Sequence, residues 1–268
     1  MKRLILLLLV FCFEKATAQE LFVFTEPASN MAAKSFGLRL NNFLMNETGT
    51  NKTNYHLIPE IMWGASKHTM VHAEMFLSNR NKGFIAEGGA VYAKYRFYSV
   101  DDVHSHFRLA AFGRYSFNNS DVHQQAIDLN GHNSGYEGGF IATKLTGKVA
   151  VSATASYLHA LDNNKEKFIY GDKNRNAVNY TFSVGKLMLP KDYTGYKQTN
   201  VNLMIEVLGQ ANLYNGHSFL DVGPSLQFIF LSRMRLDAAY RIPVIKDLSK
   251  TAPGGIFVRL EYNIFNAY

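Results

Sequence analysis

The chain has 268 residues, one cysteine and a formal net charge of +7, with 20 Phe, 15 Tyr and 1 Trp. A single cysteine excludes a disulfide framework and thiolate metal centres of the chain's own. The basic residues are spread without a Lys/Arg-rich block, so the charge argues for contact with anionic lipid headgroups and against a nucleic-acid surface.

Residues 1–18 read as an export signal. Lys2 and Arg3 supply the positive start, Leu4 to Phe13 the apolar stretch, and Ala16-Thr17-Ala18 a small-x-small cleavage site that makes Gln19 the first processed residue. The apolar stretch is too short for a membrane helix, which needs about 20 residues. Cys12 lies inside this signal, and bulky Phe11 before it argues against lipid attachment. Residues 19–33 are expected to form a short periplasmic lead-in or to tuck into the unit that follows, which spans 34–268.

From there period-two alternation dominates. The first two segments, Lys34–Met45 and Tyr55–Trp63, alternate weakly. Next, Val71, Ala73, Met75 and Leu77 oppose His72 and Glu74; Val91, Ala93, Tyr95 and Phe97 oppose Lys94 and Arg96; Phe107, Leu109, Ala111, Tyr115 and Phe117 oppose Arg108 and Arg114. Tyr136–Leu145 is weaker again. Val149 to Tyr157, Val178 to Val184, Val201 to Val207 and Val222 to Phe230 each place an apolar row against a polar one. Met234 to Ile242 opposes Arg235, Asp237 and Arg241, and Ile256 to Ile264 opposes Arg259 and Glu261. About twelve strands result, each near the roughly 9–11 residues that cross a bilayer at a tilt.

Connections alternate in length: Asn46–Asn54, Asn118–Ser134, Leu161–Asn174 and Ile245–Gly254 are long, whereas Gly64–Lys67, Ser99–His104, Thr146-Gly147 and Ser232 are short. Pro190–Gln198 departs from this, being long where a short turn is due. Short turns on one side and long loops on the other are the outer-membrane pattern, and an even count puts both termini in the periplasm. Lipid offers no hydrogen bonds, so the sheet has to close on itself. Tyr92, Tyr95, Phe97 and Tyr98 gather near one strand end, and Phe112, Tyr115 and Phe117 near another, as interfacial girdles would. The expected fold is therefore all-β, a transmembrane antiparallel up-and-down β-barrel. A soluble periplasmic β protein is the competing class, and its mark would be release without detergent.

The segment Arg259-Leu260-Glu261-Tyr262-Asn263-Ile264-Phe265-Asn266-Ala267-Tyr268 resembles the closing strand of bacterial outer-membrane proteins. That resemblance implies that Tyr262, Ile264 and the final aromatic Tyr268 are read by the barrel-assembly machinery. In layout the chain is similar to small transporter-like outer-membrane barrels, among them the family named for the phenol-degradation MetA pathway. The likeness transfers no functional residue.

The inward face carries both signs of charge. Arg96, Arg108, Arg114, Arg235, Arg241 and Arg259 with Glu74, Glu206, Asp237 and Glu261 are the candidate lining of a hydrated pore for small polar or ionic solutes. Arg39, Glu60, His72, Glu87, Lys94, Glu137 and Asp221 share that face. The alternative is that these charges pair and plug the lumen, leaving the long loops Asn118–Ser134 and Leu161–Asn174 to act as an enzyme or binding surface. Eight strands give a filled barrel and 16–18 a channel; twelve lies between. No catalytic set is expected: Asp102-Val103-His104 and Asp121-Val122-His123 fall on opposite membrane faces and cannot converge. His104 and His106, two apart and beside Asp101 and Asp102, are a weak metal candidate. No cofactor fingerprint is visible.

Overall fold

The computed structural model describes residues 22–47, 52–80, 83–103, 105–122, 124–164, 174–192, 195 and 197–268. Twelve strands follow one another: β1 Ser35–Asn46, β2 Thr53–Gly64, β3 Thr69–Ser78, β4 Ile85–Asp102, β5 Ser105–Asn118, β6 Ser134–Thr146, β7 Val149–Leu161, β8 Asn176–Leu189, β9 Asn200–Asn212, β10 Ser218–Phe230, β11 Met234–Lys246 and β12 Gly254–Ile264. Each pairs antiparallel with its sequence neighbours, and β1 pairs with β12, so the sheet is a closed barrel. Closure leaves no unpaired edge, which is what lets strands stand in hydrocarbon.

The alternation sorts residues as the sequence implies. Leu38, Ile61, Val91, Tyr115, Ile205, Leu226, Tyr240 and Leu260 are exposed on the outer wall, while their strand neighbours Arg39, Glu60, Tyr92, Ser116, Glu206, Gln227, Ala239 and Arg259 are buried in the lumen. An exposed apolar belt of this extent is unstable in water and suited to lipid. Ile205 is 53% exposed midway along β9. Ile205→Arg is expected to cost about 2–4 kcal/mol, the depth-dependent penalty for a cation on the lipid face. Urea unfolding of the barrel in lipid vesicles measures it, and an unchanged midpoint would count against this face meeting lipid.

Three local expectations need correction. β4 runs on through Ser99–Asp102, most of the stretch expected as a turn, and β5 begins at Ser105. A register shift between Arg96 and Tyr98 puts both Phe97 and Tyr98 outside, after which Ser99 pairs with Arg108 and Asp101 with His106. Tyr92 and Phe112 do not join the outer aromatic girdles: they sit one residue out of phase with Val91, Tyr95 and Tyr115, and they meet each other inside, ring centroids 5.5 Å apart.

The wall closes at a seam beside the chain's end. Tyr268 follows β12 and lies against β1 and β2, its hydroxyl accepting from Trp63 Nε1 at 2.9 Å and its ring 6.0 Å from that of Phe36. Tyr262 and Ile264 face outward on the same strand.

Among the described residues, two segments that belong to no strand enter the lumen. Residues 22–33, ahead of β1, run through it to the end where β1 starts and β12 finishes. The β5–β6 connection, 119–133, folds in from the opposite end and buries Val122, Ala126, Ile127 and Leu129. Ile127 is held by both its backbone groups: its N–H donates to Gln210 Oε1 and its carbonyl accepts from Gln210 Nε2, each at 2.8 Å.

Candidate functional site: a charged lumen with two inserted segments

Inward charges of both signs on β11, β12, β1, β2, β3 and β5 interleave, and this builds a belt along one part of the inner wall. Arg39 on β1 is its most connected member. Its Nε donates to Glu261 of β12 at 2.9 Å, and its Nη1 to Glu26 at 3.0 Å and to Glu60 of β2 at 3.2 Å. Glu60 also contacts His72 Nδ1 of β3. Glu74, the direct cross-strand partner of Glu60, accepts from Arg114 Nη1 of β5 at 2.6 Å. In the other direction Arg235 of β11 pairs with Asp237 at 2.7 Å and stands 3.7 Å from Glu261, while Arg259 stands 3.7 Å from Asp237. Two carboxylates placed opposite each other, as Glu60 and Glu74 are, repel unless cations separate them. Arg39 and Arg114 do so here.

Glu60, His72 and Glu74 bring one ligating atom each within 4.8 Å of one another. A guanidinium already occupies each carboxylate, at 3.2 Å on Glu60 and 2.6 Å on Glu74. A dication would have to displace both, so this cluster serves the belt better than it would serve a metal. The other candidate pair is His104 and His106. His104 lies outside the described residues, and His106 Nδ1 is bonded to Asp101 at 2.8 Å.

Segment 22–33 is fastened to the belt's lower rim. The N–H groups of Val23, Phe24 and Thr25 all donate to the Glu206 carboxylate, at 2.8, 3.0 and 3.0 Å, and Thr25 Oγ1 adds a fourth bond at 2.8 Å. Successive N–H groups curled round one anion form a nest, and Glu206 fills it. The segment's carbonyls meet cations: Val23 accepts from Arg259 at 2.7 Å, Pro27 from Lys94 at 2.8 Å, and Phe22 from Arg235. Glu26 lies between Arg39 and Lys94, at 3.0 and 3.3 Å. Burial pushes its carboxyl up, but Lys94 and Arg39 outweigh that and hold it well below the usual carboxylate range. Farther along, Ala28 N–H donates to Thr143 Oγ1 at 2.9 Å, and Arg108 Nη1 donates to Ser29 Oγ at 2.9 Å.

Above the belt lies a cavity of about 300 Å³. Its floor includes Phe24, Glu26, Phe43 and Phe257, its walls Glu60, Tyr92, Arg114, Glu137 and Arg241, and its roof Gln124, Ile127, Asp128 and His132 of the inserted loop. The β11–β12 connection closes one side. Lys250 contacts the Asp221 carboxylate, sits 3.2 Å above the Phe219 ring, and shares Asp221 with Arg241 Nε at 2.6 Å. Burial and the neighbouring Arg241 bring Lys250 down to about 7, against the pull of Asp221.

Nine of the ten expected lining residues are thus in the lumen and bonded within it. Arg96 is the outlier, half-exposed at the rim, donating to the Lys67 carbonyl at 2.8 Å. Sequence reasoning missed Glu26, Arg80, Asp128, His132 and Lys250, because all lie outside the strands, where period two is silent. One signal was present: Val122, Ala126-Ile127 and Leu129 are apolar residues in a connection that is otherwise largely polar.

No protein-family model and no curated protein matches the chain. Among solved structures, it is similar to an outer membrane channel from Pseudomonas putida F1, with 10% identity and a TM-score of 0.55, over 90% of this chain and 99% of that one. Lower similarity is found to OccAB4 of Acinetobacter baumannii, at 9% identity and a TM-score of 0.39 over 83% of this chain and 56% of that one. OmpF of Salmonella typhi, in a complex with daunomycin, gives 9% and 0.39 over 92% and 100%. The first of these likenesses shows the fold: a small barrel of the outer-membrane type, the kind that the strand layout resembles.

Proposed function

We propose that this chain is an outer-membrane channel for small polar or ionic solutes, held here in a closed state. One observation carries the reading: what blocks the lumen is two inserted segments that belong to no strand, with a polar, charge-lined cavity of about 300 Å³ between them. Side chains alone fill a barrel of about eight strands, whereas the lumen of this wider barrel is filled by parts that can leave it. The likeness to a channel-forming barrel supports the same reading. Export would depend on residues 1–18, insertion on the assembly machinery acting at Tyr262, Ile264 and Tyr268, and the outer wall would meet outer-membrane lipid. The inward arginines and carboxylates would set selectivity only once the segments move, since in the closed state they neutralise one another.

Deletion of Phe22–Asn30 tests this. In planar bilayers the intact chain should show rare, small openings, and the deleted chain larger and longer ones with measurable ion selectivity. A deleted barrel that folds, by heat-shifted gel mobility, yet stays silent would overturn the channel reading. That result would favour a ligand-binding barrel, whose binding surface would be the roof loop 119–133; the closed roof over the cavity is the observation that keeps this second reading in view.

A further inference from the structure

The roof loop docks on a cluster whose hydrogen bonds tolerate only one protonation state. His132, near the end of the loop, has its ring 4.9 Å from that of His56 on β2. Its Nδ1 lies 2.7 Å from Arg80 Nη1, in the β3–β4 connection. An arginine only donates, so this Nδ1 has to be bare and accepting. The remaining proton sits on Nε2, which faces Asp128 Oδ2 of the same loop at 3.8 Å. Arg80 is steadied from β4 by Glu87 at 3.7 Å, and Arg241 of β11 adds positive charge on the far side. The groups facing His132 are therefore two arginines, a second imidazole and one carboxylate.

A second proton on His132 would point a donor at a donor across 2.7 Å, beside a neighbouring ring and under two guanidinium charges. Only Asp128 favours it. The docked loop thus excludes the imidazolium, and the released loop does not. We propose that the His132–Arg80–His56 cluster is an acid-sensitive latch: protonation on the extracellular side frees loop 119–133 from the lumen and uncovers the cavity.

The sign follows from linkage. Burial, with His56 and Arg80, takes the docked His132 down to about 3, against the pull of Asp128. A released histidine titrates near about 6.5. Docking is therefore fully favoured above that value, and the docked-to-released ratio falls about tenfold for each pH unit between about 6 and 3. His56 faces the same arginine and the same ring, and it adds to the effect if the loop's departure frees it too.

The readout is access to the loop, so the latch can be judged whether or not the barrel conducts. In a Cys12→Ser background, which leaves no other cysteine, Ile127→Cys puts a thiol on the buried face of the roof. Asn215→Cys in the exposed β9–β10 turn gives a reference thiol that absorbs the pH dependence of the chemistry. Labelling by a membrane-impermeant maleimide, taken as the ratio of the two rates, should rise at least tenfold from pH 7 to pH 5. In His132→Gln, whose carbonyl still accepts from Arg80 but does not titrate, the rise should shrink to what His56 alone contributes, and in His56→Gln/His132→Gln the ratio should stay flat and low. A flat ratio in the His132 background, or the same rise in both glutamine variants with folding intact by gel mobility, overturns the latch.

Discussion

Arg39→Ala should lower the stability of the barrel by about 3–5 kcal/mol, the range for removing one partner of a buried ion pair. Arg39 is 2% exposed and is the shared cation of Glu26, Glu60 and Glu261. Without it, Glu74 keeps Arg114, but Glu60 retains only His72 and the Asn41 amide, and Glu261 depends on the more distant Arg235. Burying uncompensated carboxylates costs far more than the pairs contribute, so the loss reflects what is left behind. Arg39→Lys restores the charge but not the fork that reaches β2 and β12 together, and should recover only part of the stability. Urea unfolding in lipid vesicles gives both values. A midpoint unchanged in Arg39→Ala would mean that water enters the belt and that the pairs are solvated.

Glu206→Ala acts on the inserted segment and spares the wall. It removes the acceptor of three N–H groups and one hydroxyl, all in or beside the buried lumen. A buried donor left unsatisfied costs about 1–3 kcal/mol, so the summed penalty exceeds what a nine-residue stretch recovers from its other contacts. Residues 22–30 should leave the lumen, and conductance should approach that of the chain lacking them. Glu206→Gln keeps the shape but turns one acceptor into a donor, and should give intermediate openings. A Phe24→Cys probe that stays equally protected from thiol reagents with and without Glu206 would show that the nest does not hold the segment.

The barrel itself was legible in the sequence because its wall obeys one rule, alternation every second residue, from Phe36 to Ile264. Even the side chosen by Tyr92 followed from parity with Val91, although clustering with Tyr95 and Phe97 suggested otherwise. The charged lining was legible as a set but not as pairs. Arg39 finds its partners 13, 21 and 222 positions away, and only strand order and register bring those together. The inserted segments were least legible. Residues 22–33 have no period, and their backbone bonds run to side chains of β4, β6, β9, β11 and β12 that no local pattern predicts. Pro59 and Pro224, unexpected within strands for want of an N–H, fall where the β2–β3 and β10–β11 ladders are interrupted, between Leu57 and Glu60 and between Val222 and Ser225.

The two obstructions are attached to the wall in different ways. Loop 119–133 is tethered at both ends, to β5 and β6, so it can only hinge. Among the described residues, segment 22–33 joins the wall covalently only at its C-terminal end, through Lys34, whose N–H reaches Gly64 and whose carbonyl accepts from Ala267. A chain fixed at one end can be drawn out lengthwise, its side-chain attachments breaking one after another, while every rung of the twelve-strand ladder stays in place. A pull on Phe22 would therefore clear the lumen without loosening the cylinder, and the work needed would be set by Glu206, Arg259 and Lys94, independently of how strongly the cylinder resists heat.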